Sequence, residues 1–473
     1  MRMGRLRACL FESLLALTAA AGALDAQSYV TGDVLRITVS PNRDDVKALG
    51  MGNTQVADGR RFNAMEYNPA LLALPRTTFD AIQVQASLPL NSFDALAFLR
   101  DNSAEFSPST GFFTSIYNGA RAYLAPGATA DQKAVAVRQI NAGLAFINEF
   151  QQKVLGPPED PRTQGFAVIP DVQVQVGNFG FSLHGTLRSA LTTYPGEALT
   201  KIYGMGLPGD LSTATPAQLV ALAGVILPLI DPVTHALRYS SAMPQTFSVA
   251  YVDIEGTAGY GYRLTPEISL GANLKVINRR ISTRGINSDN YSSILTELRK
   301  DFDVSVTGFT MDLGGVYHLA QTGTDLGLTL QNVIPLPKVR STASFNSVAY
   351  DSAMNPHNVA VNIPVEFRVP VLINIGATQP LTKNWDASFD VVDVAAQDAN
   401  HVNYLGRLRL GTEYRLDAVP GSLGIAFRGG IAERKVTGGV GFNIFRVLQI
   451  DGAYGWDYYV DDYAVFAQLR LGW

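Results

Sequence analysis

The chain has one cysteine, five histidines, little net charge and, beyond its first 30 residues, no long apolar run. Each shortage closes off a class of protein. Cys9 stands alone, so no disulfide framework can form and no cysteine-rich metal site can be built. The histidines (His184, His235, His318, His357 and His401) are scattered, with neither an H-x-x-x-H nor an HExxH spacing. There is also no G-x-S-x-G elbow and no phosphate loop. The expectation is therefore no enzyme, no cofactor and no metal; a Ser–His pairing brought together across strands is the one arrangement left open. A net charge of −4 gives no electrostatic footprint for nucleic acid. Without a second run of about 18 apolar residues free of turn signals, membrane-spanning helices are excluded.

What is present points to strands. Apolar residues make up 47% of the chain and mean hydropathy is +0.09, beside 43 Gly, 19 Tyr and 23 Phe. A chain that is apolar overall but lacks a spanning helix matches a transmembrane β-barrel, in which only every second residue of a strand meets lipid. The start reads as a signal peptide over residues 1–26. Arg2, Arg5 and Arg7 precede an apolar, Ala-rich run over 14–24, and both Ala21-Gly22-Ala23 and Leu24-Asp25-Ala26 suit cleavage. Cys9 would leave with it.

The last eleven residues are the clearest strand. Tyr463, Val465, Ala467, Leu469, Leu471 and Trp473 fall on one face, and Ala464, Phe466, Gln468, Arg470 and Gly472 on the other. An apolar face opposite Arg and Gln suits a strand between lipid and a wet lumen. Residues 27–76 alternate poorly and predict a small folded plug, with Asn68-Pro69 as a helix-start or turn signal. Alternation begins at Thr77. It is broken by helical insertions near 93–154, where Val135, Ile140, Leu144, Ile147 and Phe150 recur at helical spacing, and near 196–232, where Thr215-Pro216 opens a helix. The second insertion is very apolar; it either packs on the barrel rim or offers a hydrophobic capture surface. Strands are expected at about 245–254, 256–264, 267–279, 302–319, 323–333, 365–378, 384–394, 404–416, 421–431, 434–445, 447–459 and 463–473, after three earlier ones. Even numbers are usual for such barrels, so 14 strands are expected.

One strand face carries Arg407, Arg409, Glu413 and Arg415 opposite Leu408, Leu410, Tyr414 and Leu416. Arg or Lys at mid-bilayer on the lipid face costs about 2–4 kcal/mol, so these charges belong to the lumen, as do Arg428, Asp451 and Arg470. They form either a salt-bridge lattice that rigidifies the barrel or a polar path able to take an anionic head group.

The segment Ala48-Leu49-Gly50-Met51-Gly52, with Ala57-Asp58 and Asn68-Pro69-Ala70, resembles the N-terminus of the FadL/TodX-like outer-membrane transport superfamily. The resemblance implies an all-β fold: a 14-stranded transmembrane barrel with an N-terminal hatch over residues 27–76, a barrel over 77–473 and helical extracellular insertions. Gly50, Met51, Gly52, Asp58, Asn68, Pro69 and Ala70 would form the hatch motif. The final strand, with Tyr463, Leu469, Leu471 and Trp473, resembles the barrel-assembly signal of outer-membrane proteins. The implied place is the bacterial outer membrane, and the implied role is passive uptake of hydrophobic small molecules of the long-chain fatty-acid or aromatic-hydrocarbon type. Implied partners are outer-membrane lipid, a hydrophobic ligand and the barrel-assembly machinery. PorV-like and TraF-like relatives share the same opening, so the alternative is a non-transporting accessory or scaffold barrel that docks a protein partner on its helical insertions. In related channels a kinked wall strand lets solute leave sideways; Gly177-Asn178 and Gly314-Gly315 are the candidate kinks here.

If the last residue directs assembly, Trp473→Asp will reduce the amount of folded, heat-modifiable barrel in the membrane more than it changes the permeability of each barrel formed.

Overall fold

The computed structural model describes residues 35–38, 45–58, 64–74, 76–106, 111–156, 162–194, 196–208, 211–234, 238–239, 245–286, 304–353, 355–369, 371–394, 407–457, 460 and 462–472. The signal segment 1–26 and Trp473 lie outside them. In chain order the strands are β1 (Leu35–Thr38), β2 (Arg76–Pro89), β3 (Thr163–Gly177), β4 (Phe179–Tyr194), β5 (Gln245–Arg263), β6 (Ile268–Ile286), β7 (Val304–Leu319), β8 (Thr324–Gln331), β9 (Val339–Tyr350), β10 (Pro356–Arg368), β11 (Leu372–Pro380), β12 (Trp385–Val391), β13 (Leu408–Val419), β14 (Leu423–Ala432), β15 (Lys435–Ile444), β16 (Leu448–Asp457) and β17 (Asp462–Gly472). Fourteen of them, β2–β8 and β11–β17, close into one antiparallel barrel. Leu372 opposite Gln331 joins β11 to β8, and Leu469 opposite Val84 joins β17 to β2, so no edge is left open.

Period 2 sorts the two faces. Val84, Phe181, Leu274, Phe427, Val465 and Leu469 are exposed on the outside, while Gln83, Gln85, Asn273, Arg428, Gln468 and Arg470 are buried inside. An apolar outside and a polar inside is the pattern a bilayer demands. Aromatic side chains gather at both rims. Tyr463 stacks on Tyr454 at 4.9 Å and meets Trp456 edge-on at 5.0 Å at one end, and Phe179 packs on Tyr260 at 4.7 Å at the other. One rim carries the tight turns, among them Gly177–Phe179 and Leu319–Thr324. The opposite rim carries the long insertions.

Three strand expectations need correction. Residues 245–254 and 256–264 form a single strand, β5. The expected strand 365–378 is two, β10 ending at Arg368 and β11 beginning at Leu372 and joining β8 of the ring. The strand at 339–350 was not expected at all. With β10 it makes a hairpin outside the ring, extended by β1 running parallel to β10. The hairpin packs Val339, Val365 and Phe367 onto Val249, Tyr251 and Ile281 of β5 and β6. Alternation announces a strand but not which sheet receives it.

The insertions form a second core. Helices Leu90–Asp101, Phe112–Tyr123 and Ala130–Phe150 come from the first, and Gly196–Gly204 and Pro216–Ile226 from the second. Thr129 with Gln132 and Thr215 with Gln218 make reciprocal capping boxes, which fix two of the helix starts. Phe98, Phe112, Ile116, Ile140, Ile147 and Phe150 pack with Leu199, Leu222, Ile226 and Leu229. The apolar second insertion thus rests largely on the first, and Val135, expected on the apolar stripe, is exposed. The Tyr203 hydroxyl donates to the Ile147 carbonyl at 3.2 Å, tying the two together.

Leu469 lies mid-strand on the lipid face. Leu469→Arg should destabilise the barrel by about 2–4 kcal/mol in urea unfolding from lipid vesicles, whereas Leu469→Ile should be near neutral.

Candidate functional site

Residues 45–58 and 64–74 fill the lumen toward the short-turn rim. Asp45 caps the helix Val46–Gly50 by accepting from the Ala48 N–H at 3.0 Å. Gly52 and Asn53 then take left-handed backbone, at φ 65° and 60°, and reverse the chain. Lys47 Nζ meets Asp58 Oδ2 at 2.8 Å, closing this loop. After the short helix Ala64–Tyr67, Asn68 starts the 3-10 turn Pro69–Ala73 by accepting from the Ala70 N–H at 3.1 Å. The Tyr67 hydroxyl donates to Asn53 Oδ1 at 3.2 Å, and burial, then the nearby Asp45 and Glu66, push its pKa well above the usual phenol value.

This inner segment sits backbone-on-backbone against the wall, and the wall provides glycine where it does. A Cβ on Gly430 would overlap the Gly52 nitrogen, and one on Gly411 the Met51 carbonyl. Gly327 would strike the Val56 carbonyl, Gly314 the Asn68 amide and Gly271 the Pro69 carbonyl; Gly439 lies against the Gly50 Cα. The glycines form a belt across β6, β7, β8, β13, β14 and β15. Each shares the lumen phase with a polar neighbour two residues away: Asn273, Asp312, Thr329, Arg409 or Glu413, Arg428 and Thr437.

Wall side chains satisfy the segment's buried backbone, as a dry interior requires. Asp390 Oδ2 accepts from the Gln55 and Val56 N–H groups at 2.7 and 3.1 Å. Gln468 Oε1 accepts from Val46 N at 3.0 Å, and Thr437 Oγ1 from Gly52 N at 2.9 Å. Asn273 donates to the Met65 carbonyl at 2.5 Å and Gln331 to the Glu66 carbonyl at 2.9 Å. In return Asn68 Nδ2 donates to the Gly315 carbonyl at 3.2 Å as well as to its own segment's Val56 at 2.8 Å.

The structure brings part of the sequence-predicted lumen set together. Arg428 binds Glu413 at 2.8 Å and Asp451 at 2.6 Å, and Arg415 meets Glu413 at 2.9 Å and also pairs with Asp386. Arg409 and Arg470 instead reach the inner segment: Arg409 donates to the Asn53 carbonyl at 3.4 Å, and Arg470 stands 3.6 Å from Asp45 while bonding Gln83 at 2.8 Å. Arg407 lies apart, donating to the Asp393 carbonyl at 2.8 Å. Of the barrel-assembly residues, Leu469 and Leu471 face outward and Tyr463 belongs to the rim cluster.

Among the described residues the register shifts in β2 between Asp80 and Gln83 and in β13 between Asp417 and Val419, and a further lapse falls where sequence reasoning did not place a kink. Gly177-Asn178 is the turn between β3 and β4, with Gly177 at φ 59°. Gly314-Gly315 lies in an unbroken ladder between β6 and β8 and serves the approach of Asn68. The lapse instead lies between β3 and β4. Pairing stops at Val168–Leu187 and resumes in the same register at Asp171–His184. Pro170, which has no N–H, and Ile169 stand there opposite Gly185 and Thr186, while β2 stays paired to both. Pro170 was the signal in the sequence, a proline mid-strand.

No protein-family model matches the sequence, and no curated protein is similar to it in sequence. Several solved structures are similar to this chain. They include the Ralstonia pickettii toluene transporter TbuX, at 12% identity and TM-score 0.45 over 91% of this chain and 98% of that one. The P. putida toluene transporter TodX has 11% identity and TM-score 0.45 over 91% and 97%. A Pseudomonas aeruginosa FadL homologue has 9% identity and TM-score 0.39 over 90% and 97%. Each is a likeness of fold.

The belt makes a specific demand. Gly430→Val should leave a heat-modifiable barrel but speed amide hydrogen exchange over residues 45–58 at least tenfold, because the side chain and the Gly52 backbone need the same space; Gly452→Val, in a wall strand with open space around it, should leave those amides unchanged.

Proposed function

We propose that this chain is a bacterial outer-membrane channel for passive entry of small hydrophobic molecules, with residues 45–74 as its hatch. The observation that carries the proposal is a segment held inside the lumen through directional hydrogen bonds, with a two-residue lapse in the β3–β4 ladder beside it that would part as a slit. Such bonds are individually modest, about 0.5–1.5 kcal/mol each net, so a seat built from them can shift without unfolding the barrel. The slit at Pro170 faces the apolar outer surface, where Val172 and Val176 are exposed. An apolar solute leaving there would enter lipid without crossing water. The solutes named for the similar structures, toluene above all, are of the class this route would suit. The helical insertions bury much of their apolar surface in a shared core that also takes in Val348 of β9, which supports a cover over the channel mouth in preference to a docking surface for a partner protein.

Uptake of labelled toluene and of a labelled long-chain fatty acid by cells lacking their own channel tests the proposal. The intact protein should give saturable uptake of at least one. Removal of residues 28–74, which spares β2, should abolish saturation, and Pro170→Val, which restores a ladder donor at the slit, should lower uptake at least tenfold. Uptake no higher than in empty cells, with the barrel shown to be folded, contradicts it.

A further inference from the structure

Beside the slit, three ionisable side chains from three separate segments converge. Glu66 comes from the inner helix Ala64–Tyr67, Asp171 from β3 and His184 from β4. Each offers a donor atom within 4.8 Å of the other two, and all three are buried, at 2%, 2% and 4% exposure. Asp171 and His184 are directly opposed and form the first pair beyond the lapse in the ladder. His184 Nε2 is bonded to Thr186 Oγ1 at 3.0 Å, which turns Nδ1 toward Asp171 Oδ1 at 3.5 Å. The backbone that carries Glu66 is itself fixed, through Gln331 on its carbonyl at 2.9 Å and Asn273 on the preceding one at 2.5 Å.

We propose that Glu66, Asp171 and His184 form a divalent-cation site that clasps the inner segment to the wall beside the slit. The proposal deepens the channel reading and rests on its inner segment and slit. The donor chemistry decides the class of ion. One imidazole nitrogen and two carboxylate oxygens suit Zn²⁺ or Mn²⁺, with water completing the shell; a soft ion would need thiolates the chain does not supply here. Ligand distances of about 2.0–2.2 Å place the donor atoms of one shell roughly 3–4 Å apart, so the present spacing needs only small side-chain rotations. The Thr186 hydroxyl fixes the imidazole from its far side, as an outer-shell partner does. Spacing along the chain gave no hint of this, since positions 66, 171 and 184 meet only when the inner segment is seated; the expectation of no metal rested on local motifs.

The test uses the full-length protein, folded in detergent and stripped with a chelator. Titration calorimetry with Zn²⁺ and paramagnetic resonance with Mn²⁺ should give one ion per chain. Glu66→Gln, Asp171→Asn and His184→Ala should each weaken affinity at least about tenfold while keeping a heat-modifiable barrel. Zn²⁺ should slow hydrogen exchange over residues 64–73 in the parent protein and leave it unchanged in Asp171→Asn. No stoichiometric binding by the parent overturns the proposal, as does equal binding by all three variants, or exchange over 64–73 that ignores the bound ion. These readouts need no transport: binding intact with uptake absent would overturn the channel reading alone.

Discussion

The structure turns on how a piece of backbone can lie inside a barrel away from bulk water. Every N–H and C=O it carries must find a partner there or cost about 1–3 kcal/mol. The chain meets this in two ways at once. Glycines at Gly271, Gly314, Gly327, Gly411, Gly430 and Gly439 let the inner segment approach the wall to backbone distance. Asp390, Thr437, Gln468, Asn273 and Gln331 then reach its peptide groups. Either device alone would fail: glycines without donors would leave unsatisfied amides, and long polar side chains without glycines would hold the segment off the wall.

The charged lattice follows from the same constraint. Arg428 between Glu413 and Asp451, and Arg415 between Glu413 and Asp386, pair charges that the lumen cannot leave alone. Arg409 and Arg470 extend the lattice to the segment through the Asn53 carbonyl and Asp45. Charges on the inner face are thus paired with one another, which leaves the outer face to apolar side chains. The lapse in the ladder at Pro170 is where the two regimes meet. There the ladder lapses, an outward proline touches the lipid side, and Asp171 and His184 stand just below it on the lumen side.

Much of this was legible in the sequence, because period 2 is a strong signal wherever one face meets lipid. Strands β7, β8 and β12–β17 were expected within a few residues of their observed ends, and the charged face of β13 was assigned to the lumen from the cost of burying Arg in lipid. Three things were not legible, each for a physical reason. The β9–β10 hairpin alternates like a wall strand, and nothing in alternation distinguishes a ring from a sheet beside it. The belt was not singled out, apart from Gly314 as a candidate kink, because glycine is ambiguous alone; its position two residues from a lumen-facing polar side chain was the available clue. The kink was sought at glycines, whereas Pro170 removes a ladder donor outright and Gly314 merely admits Asn68.

The central claim is that the seated segment closes the lumen, and single-barrel conductance in a planar lipid bilayer tests it most directly. The account predicts that the intact protein inserts as a barrel that passes no steady ion current at moderate voltage, with at most brief openings. A stable, open-pore conductance from the intact, folded protein would contradict it.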